Sequence, residues 1–294
     1  MEEINNERQF LSFDKERVQQ ITLDQLMKTH RENDAYGRPM KGIYHYELIN
    51  AALQACRDFG YNPEVYDLFA AQNRDAQSPG VALLPQVEEM MGKQAIEAHI
   101  LRRVYANVRL TDFDDTENTT NLAIAFHQKG IQVGFGNMVK ICHNQCMMNA
   151  NLYAATYGGE DKKEVGEIVE VIRKWLYDAR TLIEADRERI ERMKNFVVSA
   201  DDMLRCIGMM TALRVKADTR IPEIRENMVY PLNQSQISRF TEQMLLKYHQ
   251  NERITVWDMY DVATNMYKPK DMDIPSILPQ NISMVRFLNE RYKV

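Results

Sequence analysis

The chain is predicted to fold as an α+β protein. A mixed or antiparallel sheet with flanking helices occupies residues 1–160, and a long helix with a helical bundle occupies residues 161–294. Three observations carry this. Apolar and polar residues alternate over Arg102–Phe113, with Val104, Ala106, Val108 and Leu110 on one side and Arg103, Tyr105, Asn107 and Arg109 on the other, as in a half-buried strand. The same alternation recurs in Leu122, Ile124 and Phe126 and again in Ile131, Val133 and Phe135. After Gly158-Gly159 the period changes, and Val165, Ile168, Ile172, Trp175, Ala179 and Leu182 keep a near-heptad spacing.

In chain order, Leu23, Leu26 and Met27 mark a weak helix, which Asp34, Gly37 and Pro39 break off. A clear helix follows from about His45 to Phe59, because Leu48, Ile49, Ala52, Leu53 and Cys56 recur at three and four. Gly60 closes it and Pro63 prevents its resumption. Glu64–Gln72 reads as a strand. Ser78, Pro79 and Gly80 form a loop before a helical stretch at about Pro85–Ile100. His127–Gly130 reads as a hairpin turn joining two strands, and Gly134 and Gly136 suggest a bulge. Asp161 opens a helix expected to run unbroken to about Val197. Its length, roughly 50 Å at 1.5 Å per residue, suits either a bridge between layers or pairing with a partner chain. Helices are expected at about Ala200–Ala217, Ser235–His249, Val256–Tyr267 and Ser283–Tyr292. Thr255 is placed as an N-cap with Asp258 at N3, and Pro269 as a stop. The helical part either packs with the first part as a single domain or stands apart.

Apolar residues make up 45% of the 294 positions, enough for a core, so the chain is not a disordered one. No apolar run reaches membrane-spanning length, and the acidic start MEEINNERQF speaks against a leader peptide. The four cysteines make no disulfide framework, which fits a reducing cytoplasm. Net charge is -5: the first 160 residues carry 15 basic and 21 acidic groups and the remainder 22 and 21. Neither part is the basic block that general DNA coating requires.

The candidate chemistry is sparse. Cys142, His143 and Cys146 are soft ligands without the second pair that structural zinc needs, so packed small thiols are the stronger reading. Adjacent Cys142 and His143 on a strand would point to opposite faces and make a poor nucleophile–base pair. Asp112, Asp114, Asp115 and Glu117 begin like a calcium loop, but Glu117 stands at the glycine position and Ala123 at the bidentate acid. A solvated acidic turn is favoured over a magnesium site. Gly134-Phe135-Gly136 lacks the rest of any phosphate-cradling motif. Trp257, Tyr260 and Tyr267 with Met259 and Met266 read as helix packing rather than a ligand box. No catalytic residue, metal site or cofactor is assigned.

Three pieces carry a resemblance to a known family: the acidic turn and strand DDTENTTNLAIAF, the strand and corner GIQVGFGNMVKICHNQC, and the late helix ITVWDMYDVATNMYKP. They resemble the phage/plasmid-like family, a domain of unknown function on bacterial mobile elements, especially its Bacteroidetes-type branch. The match spans about Arg102 to the C-terminus with gaps. Gly136 departs from the family, where Cys is common before the Asn. The resemblance implies an accessory role on phages, plasmids or integrative elements and transfers no catalytic residue.

The leading expectation is thus a non-enzymatic, cytoplasmic accessory protein that handles nucleic acid, single strands favoured. Arg102, Arg103, Tyr105, Arg109, Lys129 and Lys140 would supply phosphate and stacking contacts, although the face of Arg103, Tyr105, Asn107 and Arg109 reads somewhat better as a solvent-facing or helix-covered sheet surface. A factor that blocks or adapts a host protein is the alternative, motivated by the acidic first part and the long helix, which would also make a homo-oligomer. A metal-dependent hydrolase using Asp112, Asp114, Asp115 and His127 comes last.

Overall fold

The computed structural model describes residues 18–28, 43–71, 103–116, 118–127, 130–139, 144–156, 164–217, 230–251, 253–268 and 274–294. It is an α+β protein with an antiparallel sheet followed by helices. The strands are β1 (Val18–Gln20), β2 (Pro63–Ala71), β3 (Arg103–Leu110), β4 (Asn118–His127), β5 (Gly130–Val139) and β6 (Asn144–Thr156), and they lie side by side in sequence order. Helix α1 (Leu23–Lys28) follows β1, and α2 (His45–Asp58) precedes β2. The remaining elements are α3 (Val165–Tyr177), α4 (Ala179–Asn195), β7 (Val197–Val198), α5 (Ala200–Ala217), α6 (Gln234–Asn251), β8 (Ile254–Thr255), α7 (Val256–Thr264) and α8 (Ile274–Tyr292). The expected helix at Pro85–Ile100 lies outside the described residues.

The chain forms two compact units built from interleaved segments. One comprises Met1–Arg109, Ala123–Val133 and Tyr153–Lys174, the other Leu110–Leu122, Gly134–Leu152 and Trp175–Val294. In the first unit, Leu48, Ile49, Ala52 and Cys56 of α2 are fully buried, as their spacing predicts. Each large aliphatic side chain so buried contributes roughly 1.5–3 kcal/mol. Helix α2 ends as expected at Gly60. This glycine takes φ 79, its N–H donates to Arg57 O, and Tyr61 N–H donates to Cys56 O, a Schellman closure that needs positive φ. His45 at the start of α2 meets Phe126 of β4 edge-on at 4.6 Å, and Arg173 of α3 bridges to Asp58 at 2.9 Å.

In the second unit, α4 packs on α7, α5 on α6, and α7 on both α6 and α8. The short strands β7 and β8 pair antiparallel, Val197 with Thr255 and Val198 with Ile254. The predicted cap of α7 is present as a full capping box: Asp258 N–H donates to Thr255 Oγ1 at 3.2 Å, and Thr255 N–H to Asp258 Oδ2 at 2.8 Å. Helix α7 stops at Thr264, short of the expected Tyr267. Helix α8 starts at Ile274, well before Ser283, and carries Pro279 within it.

The unbroken helix expected over Asp161–Val197 is two helices. Asp178 leaves helical geometry at φ -94, ψ 8, and its side chain caps nothing. Aspartate competes with the backbone in helix interiors and tolerates such a break. Of the near-heptad stripe, Ile168, Ile172, Ala179 and Met193 are buried within the single chain, whereas Val165, Trp175 and Leu182 stay half-buried.

Candidate functional site

The basic-aromatic strand is β3, in the first unit. Alternation leaves the second face either open or covered, and both faces are covered along most of the strand, from Val104 to Val108. Tyr105 is only 2% exposed, so its ring is core and does not offer a stacking surface. Burial pushes its phenol well above the ordinary range, with the charge of Asp67 adding to the shift and a hydrogen bond with Asn107 opposing it. Arg103 and Arg109, near the two ends of the strand, stay half-buried. The guanidinium of Arg109 lies over the ring of Tyr66 on neighbouring β2, 5.6 Å from its centroid. Tyr66 is likewise half-buried. It is the aromatic that the sequence reading missed, because only the strand pairing brings it beside Arg109. Arg102, Lys129 and Lys140 lie outside the described residues.

The acidic turn belongs to the second unit. A single 3-10 turn, Thr111–Phe113, leads into it. Asp115 Oδ1 accepts from Asn118 N–H at 2.6 Å, and Asp115 N–H donates to Asn118 O at 2.9 Å. Arg187 of α4 clamps this loop: its Nη2 donates to Phe113 O at 2.8 Å and lies 3.2 Å from Asp115 Oδ2. Asp115 therefore already has a cationic partner and two backbone contacts, and a metal would compete with all of them. Asp112 is exposed and Asp114 half-buried, while Glu117, Cys142 and His143 lie outside the described residues, as do the side chains of His127 and Cys146. Among the described residues, no group of three His, Cys, Asp or Glu side chains is placed to hold a metal ion.

Sequence reasoning also missed a buried polar cluster behind this turn. Strand β4 is buried from Asn118 to Phe126, yet its first half reads Asn118, Thr119, Thr120 and Asn121. Thr120 Oγ1 donates to Asn137 Oδ1 of β5 at 3.3 Å, and Asn137 Nδ2 donates to Asp186 Oδ2 of α4 at 3.4 Å. Asp186 is 3% exposed and its Oδ1 meets no partner. Desolvation raises its pKa to about 8, against a smaller opposing pull from Arg189. At neutral pH the carboxyl is therefore mostly protonated and neutral. Asn121 is fully buried, with both amide atoms unpartnered. A signal for Asp186 existed in the sequence: it occupies an inward position of the stripe Ala179, Ile183, Asp186, Ile190, Met193, where an acid is out of place.

No protein family, curated protein or solved structure matches this chain.

Proposed function

We propose that this is a non-enzymatic accessory protein of a phage, plasmid or integrative element that binds single-stranded nucleic acid. The observation that most supports the reading is the pairing of Arg109 with Tyr66, half-buried on neighbouring strands, with Arg103 near the other end of β3. A guanidinium held over an aromatic ring joins phosphate attraction to a π surface, the combination with which sequence-tolerant single-strand binders work. Positions 103 and 109 are an even number of residues apart, so both side chains leave the same face of the strand, at its two ends, with buried Tyr105 and Asn107 between them. The net charge of -5 makes such binding local rather than a general coating. The mobile-element setting comes from the resemblance of the stretches around Asp114 and Trp257 to the phage/plasmid-like family.

The test is fluorescence anisotropy of labelled single- and double-stranded DNA and RNA across a salt series. Micromolar or tighter single-strand binding is expected, with a salt slope that shrinks by about one to two in R103A/R109A. Unchanged affinity and slope in the double variant would remove the assignment.

A second reading, a factor that engages a host protein or a second copy of itself, is supported by Leu204 on α5 and Leu246 on α6, which are 52% and 57% exposed. Size measurement by light scattering and affinity capture, each repeated with L204S/L246S, test it. A monomer that captures the same proteins with and without the two leucines removes it.

A further inference from the structure

We propose that Asp186 is a proton-linked latch: its neutral carboxyl lets α4 lie against the strands, and release of α4 with the turn at 111–116 is coupled to loss of that proton.

The geometry carries this in three steps. First, the carboxyl is placed where a charge is poorly served. It faces inward between Ile183 and Ile190, 3% exposed, with a single long hydrogen bond at 3.4 Å and one oxygen unpartnered. An ionised carboxylate has about four lone-pair sites to fill, and burial without partners penalises that form most. Second, the donor cannot readily be replaced. The amide of Asn137 is oriented by Thr120, whose hydroxyl holds the carbonyl end and turns the NH2 end toward Asp186. Third, the latch connects to something that would move. Arg187, the next residue, holds Phe113 O and Asp115, so displacement of this part of α4 also releases the acidic turn.

The turn clamped by α4 carries Asp112, Asp114 and Asp115, the last paired with Arg187 at 3.2 Å. The strands meet it with uncharged Asn137 and Thr120. Of the elements packed on α4, β8 is Ile254–Thr255 and carries no charge. Helix α7 carries Asp258, paired with Lys247 at 2.6 Å, and Asp261, which is half-buried. On α4 itself, Arg189 is the charge that acts on the carboxyl. Desolvation outweighs it, in agreement with the geometry.

Hydrogen exchange of the full chain, read by mass spectrometry and corrected for the intrinsic pH dependence of exchange, tests the proposal. When opening releases one proton, its equilibrium constant rises about tenfold per pH unit between the pKa of the open and closed states. Peptides covering Ala179–Asn195 and 111–116 should therefore lose protection together, by close to that factor per unit from about pH 5 to about pH 7.5. In D186N the same peptides should show no such slope. Equal slopes in the native and D186N chains would overturn the latch, as would loss of protection in α4 without the turn. Should D186N fail to fold, carbon-13 titration of the Asp186 carboxyl in the native chain decides: a midpoint at the ordinary carboxylate value, about pH 4, overturns it.

Discussion

Asn137 Nδ2 donates to Asp186 Oδ2 at 3.4 Å, and among the described residues this is the only hydrogen bond the buried carboxyl makes. The consequence is thermodynamic. The folded pKa is raised from 3.8 to about 8, so the native state binds the proton more tightly than the unfolded chain does. The contribution of this group is thus fully favourable below about pH 3.8 and is lost as pH rises through 8. D186N keeps the shape and cannot ionise. Urea unfolding should show it more stable than the native chain at pH 7 by on the order of 2–4 kcal/mol, with the difference shrinking toward pH 4. A variant less stable than the native chain at every pH would mean that the carboxylate is better solvated than its surroundings indicate.

This residue also shows what could be read from the sequence and what could not. Helix α5 at Ala200–Ala217 and the stop of α2 at Gly60 follow from periodicity and cap chemistry, which are local. So does the Thr255–Asp258 box, and the same spacing marks Thr22 with Gln25 and Asn233 with Gln236, which close reciprocally in the same way. For Tyr105 the sequence leaves two readings open, because alternation reports one buried face and cannot say whether the other is covered too. The break at Asp178 was hidden because the apolar stripe continues through it from Leu176 to Ala179. Tyr66 beside Arg109, and Asn137 beside Asp186, are non-local pairs 43 and 49 positions apart, set by strand pairing and by where α4 packs.

A second titration runs in the opposite direction. Burial lowers the imidazole of His45 from 6.5 to about 4. The unfolded chain takes up the proton first, so this contribution is present above about pH 6.5 and is lost as pH falls toward 4. H45F keeps an aromatic against Phe126 and removes the titration. Its melting temperature should fall less steeply than that of the native chain between those two pH values. Parallel acid limbs would exclude His45 as a source of acid sensitivity.

Asp258 joins two devices. It closes the cap of α7 with Thr255 and meets Lys247 Nζ at 2.6 Å. Burial alone would push its carboxyl up, but the hydrogen bonds from Lys247 and Thr255 together outweigh that and hold it below the ordinary value. T255A should destabilise by about 1 kcal/mol, the usual worth of an N-cap. D258A should cost more than T255A, since it removes the box and leaves Lys247 without its carboxylate. The Asp258 contribution is present above the ordinary carboxylate range and lost as pH falls through the depressed value, so D258A and the native chain should converge in acid. Chemical denaturation at neutral and acidic pH checks both the order and the convergence.

The clamp of Arg187 on the acidic turn separates a structural role for Asp115 from a metal-binding one. Arg187 reaches both Phe113 O and Asp115 Oδ2, and it is moderately exposed, so the ion pair alone is worth little. The hydrogen bond to Phe113 O needs no charge on Asp115 and fixes the path of the loop. D115N should therefore cost about 1 kcal/mol or less, because the amide oxygen can still accept from Asn118 N–H. R187A, which removes both contacts at once, should cost more, and in a double-mutant cycle the two changes should couple by a few tenths of a kcal/mol. If Asp115 served a divalent cation instead, adding magnesium, manganese or calcium would stabilise the native chain but not D115N. R187A would then bind the ion more tightly, freed of a competing cation. Thermal melts of the three chains with and without each metal distinguish these cases, and no metal-dependent shift in any of them is the outcome the clamp predicts.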